Sequence, residues 1–539
     1  MNLSYATLAQ VPADIPAPRD RGEVGVGIVH FGPGAFHRAH QAAYVDALLD
    51  ADPRWGIAAV SMRSRGTVDA LARQDGLYTL AIRDAAPSYR VLGAHRRFLG
   101  PDDAAETRAL LADAGVELVT TTVTEKGYCL APDGTLDLSH PDIVHDLDQL
   151  SALTHSLPFA SSSRRACRDG VSRGRAGGEA SLDTGSRQAR SLLETNGEGE
   201  FRSASGGLAA PASVVGWIVA GLAARRAAGV PPFVVLPCDN LASNGAKIRA
   251  ALVAFAQECD PALAGWIDAH VDVRSTMVDS ITPAADDALG RDVAAALGLE
   301  DDAAVQREAF TQWVIEDNGR PLGPDLASVG ATLTRDVAGY ERAKLRILNG
   351  AHSTLAYAGL LRGHASVAEA MRDADLATFV DTMIARDIAP MLPPVPGLDL
   401  DAYRASVLDR FRNPGIVHRL DQIAQDGSQK LPYRLGDTLA ANRAAGRMPG
   451  HVVAALGCWI AFLIERTRAG TAIVDPKSAR LVEVAAGGDP AAVARTLVGE
   501  AIGFLPGLAD DEAAVVAIGD ASVLASGGEW RRLFTAACS

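Results

Sequence analysis

Hydrophobic and polar positions fall into two alternating patterns along the first half of the chain. From Val24 the sequence VGVGIVHFGPGAFHRAHQAAYVDALL begins as an apolar run, passes through glycines and continues with apolar residues at helical spacing. Such a segment predicts a strand, a tight turn and a helix. Further apolar runs follow at 55–62, 116–123 and 231–240, with helix-like segments between them. Strands that alternate with helices predict a parallel sheet, in which ligands bind at the carboxyl ends of the strands.

The pattern changes past about residue 295, where strand-like runs give way to Ala- and Leu-rich segments with helical periodicity. A chain of 539 residues is long enough for two large domains. We therefore predict an α/β fold with a Rossmann-type parallel-sheet domain at 1–295, followed by a mainly α-helical domain at 296–539.

The segment at 156–209 interrupts the strand–helix pattern. It is rich in Ser, Arg and Gly and has almost no periodic apolar residues. Because such a composition buries too little apolar surface to offset the entropy of ordering, we predict a disordered insert in the first domain. The alternative is an Arg-rich arm that binds an anion.

Composition and charge limit the kinds of molecule that the protein is expected to bind. The chain is 48% hydrophobic and 22% charged, with a formal net charge of −14. This charge argues against broad affinity for nucleic acid or an anionic membrane, whereas an anionic small molecule can still bind at a locally basic site. The N-terminus lacks the pattern of a signal peptide, and no apolar run approaches the ~20 residues of a membrane-spanning helix. A small-molecule substrate is therefore the expected partner.

The cysteines are few and far apart. They form no C-x-x-C pair, which argues against a zinc ribbon or a thioredoxin-type redox site. Sparse cysteines of this kind fit free thiols in a reducing cytosol, and we predict a cytoplasmic protein. The cysteines lie at positions 129, 167, 238, 259, 458 and 538.

The glycine-containing turn after the first strand is the candidate cofactor site. Gly32, Gly34 and His37 stand where a dinucleotide-binding fingerprint has its three glycines, so the third glycine is replaced. Small residues early in such a turn let backbone N–H groups approach a pyrophosphate at the helix N-terminus. The alternative is a plain strand–helix connection. The candidate cofactor-binding residues of the turn are Phe31, Gly32, Gly34, Ala35, Phe36 and His37.

The end of the second strand leaves the choice of cofactor open. An acidic residue there would favour NAD, but the sequence is SMRSRG. Arg63 and Arg65 either accommodate the 2′-phosphate of NADP or are surface charges, so we expect NAD without excluding NADP. A metal site at HRAH is not predicted, because His37 and His40 have no evident third ligand nearby.

The stretch KLRILNGAHS at 344–353 carries polar groups of three chemical types. Lys344, Asn349 and His352 follow one another at intervals of five and three residues, which places them on roughly one face of a helix. Three such groups can serve the chemistry of a carbonyl or alcohol carbon. A solvated helix face is the alternative.

Seven blocks follow one another along the chain: HFGPGAFHRAHQAAY, TVTEKGYCL, PCDNLASNG, TMVDSITP, QWVIED, ERAKLRILNGAHS, and RFRNP together with DGSQKLPYR. Together they resemble the polyol-specific long-chain dehydrogenase/reductase family. This resemblance implies an N-terminal Rossmann-type domain, a mostly helical C-terminal domain, an active site between them, and zinc-independent oxidation or reduction. The insert at 156–209 has no counterpart in the family pattern.

The resemblance also assigns roles to residues. It implies that Lys344 is the catalytic acid or base, that Asn240 and Asn349 polarise the carbonyl, that His352 orients the substrate and that Glu341 relays protons. The chemistry agrees, since hydride transfer to a ketone leaves negative charge on oxygen, which amide donors stabilise and a lysine protonates. Such a lysine needs a lowered pKa, so burial must outweigh the opposing effect of Glu341.

The substrate is the least determined feature of the sequence. The resemblance places Asp279 and Lys430 near the substrate, although either one can instead belong to an ion pair between the domains. The spelling DGSQKLP resembles members that act on sugar acids, and a lysine there would pair with a carboxylate. We therefore expect the conversion of D-fructuronate to D-mannonate. The alternative is D-fructose and D-mannitol or a related polyol.

Two further expectations concern the state of the protein. A non-catalytic dinucleotide-binding sensor is the remaining alternative to an enzyme, with the insert as the one feature in its favour. The family resemblance implies a monomer or a small homo-oligomer.

Overall fold

The computed structural model of the chain describes residues 1–18, 23–156, 210–499, 505, 508 and 510–538. The predicted disordered insert at 156–209 lies outside the described residues, except that Ser156 ends a helix. That prediction therefore stays a prediction.

Strands are concentrated in the first two thirds of the described chain. They are β1 Val26–Phe31, β2 Gly56–Val60, β3 Tyr78–Arg83, β4 Ser88–Leu92, β5 His95–Leu99, β6 Leu118–Thr121, β7 Val234–Pro237, β8 Thr276–Asp279, β9 Val305–Glu308, β10 Gln312–Glu316 and β11 Thr332–Thr334.

Helices accompany the strands and then make up the rest of the described chain. Those of the strand-containing part are α1 Ala35–Ala39, α2 Gln41–Leu48, α3 Gly66–Arg73, α4 Ala104–Ala112, α5 Pro141–Ser156, α6 Val214–Ala228, α7 Asn244–Cys259, α8 Pro261–His270 and α9 Asp287–Leu297. The later helices are α10 Val337–Ala343, α11 Gly350–Leu361, α12 Val367–Arg372, α13 Ala374–Met383, α14 Leu400–Arg412, α15 Leu420–Ile423, α16 Gly427–Leu431, α17 Asp437–Ala444, α18 Gly450–Arg468, α19 Ser478–Ala485, α20 Pro490–Gly499, α21 Glu512–Ser526 and α22 Trp530–Ala537. Three π-helical segments interrupt them at Lys344–Asn349, Ile384–Ile388 and Pro432–Gly436.

A five-stranded parallel sheet forms the centre of the N-terminal part, as predicted. Its order is β5-β2-β1-β6-β7, and each neighbouring pair is parallel. Helices pack against the sheet, so its strands are buried and appear as continuous apolar runs in the sequence. The chain moves outward from β1 to one side and returns to the other side through β6. The crevice between β1 and β6 is therefore the switch point at which such sheets bind ligands.

Strands continue beyond residue 295, contrary to the expectation that the strand pattern ends there. β9 pairs in parallel with β3, and β10 pairs antiparallel with β8. These strands were missed because they are short and, in β9, read VQRE without apolar alternation. A domain boundary at residue 295 would cut both hydrogen-bonded pairs, and it stays a prediction.

The C-terminal part is helical, as predicted, with α11, α18 and α21 in its core. α18 is the one helix of the described chain that is long and apolar enough to cross a membrane. Of its most apolar stretch, 78% is buried inside the protein. The expectation that no apolar segment approaches the length of a membrane-spanning helix is therefore wrong for α18. Gly457 in α18 lets α21 approach closely, since an added Cβ would lie 2.7 Å from the Cβ of Ala521. Burial in the helical core thus accounts for the apolar composition of α18.

A buried ion cluster joins the two parts of the chain. Arg410 on α14 donates hydrogen bonds of 2.8 and 3.0 Å to Asp279 at the end of β8. It also donates bonds of 2.9 and 2.8 Å to Glu308 at the end of β9. All three side chains are at most 5% exposed. Burial opposes ionisation of Asp279, but the charges of Arg410 and Lys344 outweigh it and lower the pKa of that carboxyl group.

We predict that Arg410→Met lowers the free energy of unfolding by about 3–5 kcal/mol, because it leaves two buried carboxylates without their cation. Loss of the cation raises both carboxyl pKa values, so protonation relieves the defect as the pH falls. The deficit should therefore be smaller at about pH 5 than at about pH 8. Urea denaturation of the variant and the wild type at both pH values measures the difference.

Arg412→Met is the matched control, since this arginine lies on the same helix, is half exposed and, among the described residues, forms an ion pair only with Asp409 one turn earlier. Its effect on stability should be within about 0.5 kcal/mol. Equal losses for the two variants would contradict the assignment of Arg410 to a buried junction.

Candidate active site

A cleft of about 1390 Å³ lies where the carboxyl ends of the parallel strands meet the helical part. Its volume exceeds the ~300–1,000 Å³ of an ordinary small-molecule pocket and leaves room for two ligands side by side. The sheet contributes residues that follow β1, β6 and β7, and the helical part contributes the facing wall. Among the lining residues are Phe36, Thr122, Asn240, Val278, Asp279, Lys344, Asn349, His352, His418, Lys430 and Arg434.

The glycine turn after β1 has a backbone that only glycine adopts easily. Gly32 has φ +90°, and a Cβ there would lie 2.5 Å from the carbonyl oxygen of Thr122. Gly34 donates its N–H to the oxygen of Gly32 at 2.7 Å and is exposed, with open space around its Cα. The turn lies beside the β1–β6 crevice, so its bare backbone fits the pyrophosphate of a dinucleotide.

Two of the predicted cofactor residues direct their side chains away from the cleft. Phe31 is fully buried against Trp217 in the sheet core. His37 is 1% exposed and stacks on His30 with ring centroids 3.4 Å apart, while its Nε2 lies 3.0 Å from that of His95. Burial lowers the pKa of His30 and of His95 to about 3, so these rings are neutral. The sequence pattern did not reveal this buried histidine cluster.

Ala35 and Phe36 begin α1 on the cleft side of the turn. Both are half-buried, and the ring of Phe36 lines the cleft while it stacks on His40 at 5.1 Å. Of the side chains predicted to meet the cofactor, that of Phe36 is thus the one that the structure places in the cleft wall.

Both arginines after β2 already have carboxylate partners. Arg63 is exposed and lies 3.4 Å from Asp142, and Arg65 lies 2.6 Å from Asp103 and 3.1 Å from Asp69. A 2′-phosphate would compete with these carboxylates.

The HRAH histidines do not share a metal site. His40 Nε2 bonds to the carbonyl oxygen of Gln312, whereas His37 faces His95. Within the described part of the chain, a different trio places one possible ligand atom each within 4.8 Å of one another: Cys129, His140 and Asp142. Asp142 is also the partner of Arg63.

The π-helical turn at Lys344–Asn349 sets the spacing of the polar residues noted in the sequence. A π-helix bonds residue i to i+5, so Lys344 and Asn349 lie one turn apart despite their five-residue separation. α11 continues directly from this turn and carries His352 three residues further on. The structure therefore brings Lys344, Asn349 and His352 together on the cleft wall, although the predicted element was a regular α-helix.

The ammonium group of Lys344 reaches across to the sheet side of the cleft. Its Nζ donates to the carbonyl oxygen of Val278 at 2.6 Å and to Oδ1 of Asn240 at 3.1 Å. Burial lowers the pKa of Lys344, and Arg410 and Arg434 act in the same direction. Asp279 and Glu341 oppose the shift but do not cancel it. The effect of burial on the pKa of Lys344 therefore outweighs the opposing effect of Glu341, as the proposed role of the lysine requires.

His352 lines the cleft from α11 and is mostly buried. Its ring lies 4.4 Å from that of Phe411 and 4.8 Å, edge-on, from that of His418. Burial lowers its pKa well below the ordinary value, with His418 and nearby arginines contributing. Its Nε2 has no hydrogen-bond partner among the described residues. The neutral imidazole thus keeps an unused, buried hydrogen-bonding nitrogen at the cleft wall.

Glu341 lies one turn before Lys344 and is half-buried. Its carboxylate accepts the backbone N–H of Ser243 at 3.3 Å. Burial raises its pKa, opposed by Ser243 and by the charges of Lys247 and Lys344. A carboxyl group with a raised pKa beside a lysine is a suitable proton carrier.

The two residues predicted to meet the substrate are both in the cleft wall and both have partners. Asp279 belongs to the ion cluster of Arg410. This agrees with the alternative expectation that Asp279 forms an ion pair between the two parts of the chain. Lys430 donates to the carbonyl oxygen of Gln425 at 2.9 Å and lies 3.5 Å from the carboxylate of Asp426.

Three cleft-side residues were missed by reasoning from the sequence: Arg410, His418 and Arg434. Arg410 and Arg434 stand within the quoted blocks RFRNP and DGSQKLPYR. The sequence feature that points to Arg434 is its spacing, since Arg434 follows Lys430 by one helical turn.

Comparison with known proteins identifies the chain's relatives. The mannitol dehydrogenase Rossmann domain matches residues 26–325, and the mannitol dehydrogenase C-terminal domain matches residues 336–521. The chain belongs to the mannitol dehydrogenase family. It is thus an oxidoreductase of a family that acts on alcohol groups, and the predicted resemblance and fold are confirmed.

Relatives within the family carry different names. The chain is 34% identical to D-mannonate oxidoreductase of Escherichia coli K12, over 88% of each chain. It is 35% identical to mannitol 2-dehydrogenase of Cereibacter sphaeroides, over 85% of this chain and 84% of the relative. Among solved structures it resembles Pseudomonas fluorescens mannitol 2-dehydrogenase in a ternary complex with NAD and D-mannitol, at 30% identity, a TM-score of 0.75 and 99% coverage of both chains. This likeness and the Rossmann domain support NAD-type dinucleotide binding.

We predict that Lys344 titrates below the ordinary value of a lysine and that Arg434→Gln raises its pKa, because the variant removes a neighbouring positive charge. The chain has only five lysines, so labelling with [ε-13C]lysine gives few signals to follow against pH: Lys126, Lys247, Lys344, Lys430 and Lys477. Lys344→Arg assigns the signal. A pKa of Lys344 that does not move, or that falls, in Arg434→Gln would contradict this account of the site's charges.

Proposed function

We propose that this protein is an NAD-dependent reductase of D-fructuronate that also oxidises D-mannonate in the reverse direction. The observation that carries a catalytic role is the Lys344 ammonium in the cleft, bonded to Asn240 and lowered in pKa by burial. When bound in the cleft, NADH would supply the hydride for reduction and NAD would accept it in oxidation. The remaining steps are those of the protein's own side chains.

Lys344 moves the proton of the reacting oxygen in this proposal. In reduction it gives a proton from Nζ to the oxygen that gains negative charge, and in oxidation it removes the hydroxyl proton. Asn240 presents Oδ1 to Lys344, which leaves its amide N–H groups to donate to the same oxygen. Asn349, one π-turn from Lys344, is the second amide donor, and together they stabilise the developing charge.

Glu341 and His352 support this proton transfer. Glu341 adjoins Lys344 and meets the backbone of Ser243, which is exposed, so it can pass the proton between Lys344 and solvent. His352 offers its unpartnered Nε2 to a hydroxyl group beside the reacting carbon. In this proposal His352 positions the substrate and does not itself titrate.

The choice of a sugar acid rests on the charge of the cleft wall. Lys430 and Arg434 lie together there, and a carboxylate would be attracted to both. The relatives do not separate the candidates, since identity is similar to D-mannonate oxidoreductase and to mannitol 2-dehydrogenase. The second candidate is therefore the pair D-fructose and D-mannitol, favoured by the overall likeness to the mannitol 2-dehydrogenase complex.

NAD is proposed over NADP because Arg63 and Arg65 already have carboxylate partners. A non-catalytic sensor is disfavoured, since Lys344, Asn240 and Asn349 are all present and meet in the cleft. Turnover with any of these substrates excludes the sensor.

We predict that the wild-type enzyme oxidises NADH with D-fructuronate at a higher kcat/KM than with D-fructose, and that NADPH supports a lower rate. Absorbance of the reduced cofactor measures all four combinations. A preference for D-fructose would replace the proposed substrate with the polyol pair. Binding of NADH without turnover of either sugar would revive the sensor.

We predict that Lys344→Ala lowers kcat by about 10²–10⁴-fold, the usual contribution of a general acid or base. NADH binding, followed by its fluorescence, should stay near the wild-type level, because Lys344 is placed at the substrate. Lys477→Ala, an exposed lysine on the helical part, is the control and should keep wild-type kcat. Near-normal turnover by Lys344→Ala would overturn its assigned role.

A further inference from the structure

Among the described residues, Arg434 differs from the other arginines of the cleft wall by lacking a carboxylate partner. It lies in the π-helical segment Pro432–Gly436 and is half-buried. Its Nη1 donates to Oγ of Ser353 at 3.0 Å and makes a long contact of 3.5 Å with the carbonyl oxygen of Asn349. Both acceptors are neutral, so neither balances the charge of the guanidinium group.

Other arginines of the same cleft are neutralised. Arg83 lies 2.8 Å from Asp292, and Arg419 lies 2.5 Å from Asp421. In the part of the chain that the structure describes, Arg434 forms no ion pair, and burial lowers its pKa with only Tyr357 opposing. A partly buried arginine without a counter-charge is costly to the protein unless a ligand supplies the anion.

The free edge of the guanidinium group suits a carboxylate. Among the described residues only Nη1 of Arg434 has a hydrogen-bond partner, which leaves the N–H groups of Nε and Nη2. These two groups lie side by side and bind both oxygens of one carboxylate. The required ligand is therefore an anion with a planar, two-oxygen head, and it must enter the cleft that Arg434 lines.

Lys430 is a less suitable partner for the same anion. It precedes Arg434 by one helical turn, but its ammonium group already bonds to Gln425 and faces the carboxylate of Asp426. Arg434 is itself one of the charges that lower the pKa of Lys430, after burial. An anion at Arg434 would relieve the repulsion between these two cations.

We propose that Arg434 is the subsite that binds the carboxylate of a sugar-acid substrate, with Lys430 as a secondary charge. This proposal rests on the proposed function and names the residue that selects its substrate class. Through Ser353 and Asn349 the guanidinium group is attached to the helix that carries the reacting groups. The distance between bound carboxylate and reacting carbon is thereby held constant, so a sugar with an acid at one end is bound in a single direction.

The test compares charged and uncharged sugars in one variant. Arg434→Gln should lower kcat/KM for D-fructuronate by about 10- to 100-fold, the effect of losing a charge-assisted hydrogen-bonded pair. The same variant also raises the pKa of Lys344, which acts on charged and uncharged sugars alike, so the ratio of kcat/KM for D-fructuronate to that for D-fructose should fall by about 10- to 100-fold. Arg434→Lys should fall between Gln and the wild type, because it keeps the charge but not the two-point geometry. Lys430→Gln should cost less than Arg434→Gln.

Calorimetric binding of D-mannonate and of D-mannitol to the protein with NAD separates this proposal from the proposed function. If Arg434→Gln loses D-mannonate binding while the wild type fails to turn over D-fructuronate, the subsite stands and the proposed reaction falls. If the wild type reduces D-fructuronate and Arg434→Gln does so equally well, the reaction stands and the subsite is refuted. Equal losses for charged and uncharged sugars would also refute it, since they indicate a general structural role.

Discussion

The bond between the Lys344 ammonium and the sheet side of the cleft is the interaction on which the rest of the site depends. The lysine comes from the helical part, whereas its acceptors, the carbonyl oxygen of Val278 and the amide of Asn240, come from the ends of β8 and β7. The proposed reacting position therefore lies where the two parts meet. The ion cluster of Arg410, which also crosses this junction, keeps them in that arrangement.

Positive and negative charges around the cleft partly offset each other, so the buried Lys344 is not held permanently in its protonated form. Burial lowers the pKa of Lys344, and the negative charge of Asp279 opposes that shift. Arg410 takes up that charge through two hydrogen bonds. The same arginine thus stabilises the junction and limits how strongly Asp279 acts on the lysine. In the proposed mechanism Arg410 therefore affects both the stability of the junction and the proton transfer at Lys344.

The sequence predicted the features that depend on local pattern. Apolar runs separated by helical segments marked the parallel sheet, and the glycine turn after β1 marked its ligand-binding edge, where Gly32 indeed has a positive φ. The interval of five between Lys344 and Asn349 predicts a helix, but it does not distinguish the observed π-helical turn from an α-helix, because a π-helical turn has no distinct sequence pattern. The features that depend on distant contacts were missed. Neither the burial of His37 beside His95 nor the pairing of Arg410 with Asp279 and Glu308 is encoded in a short segment.

The most direct test of the central claim is the pH dependence of kcat/KM for D-mannonate oxidation, measured for the wild type and Glu341→Gln. In the proposed mechanism oxidation requires neutral Lys344, so the rate should rise with pH through one pKa below that of an ordinary lysine. The carboxylate of Glu341 raises the pKa of Lys344, and the variant should therefore shift the midpoint to lower pH. A profile without such a pKa, or a midpoint that the variant leaves in place, would contradict the claim that Lys344 is the acid–base group.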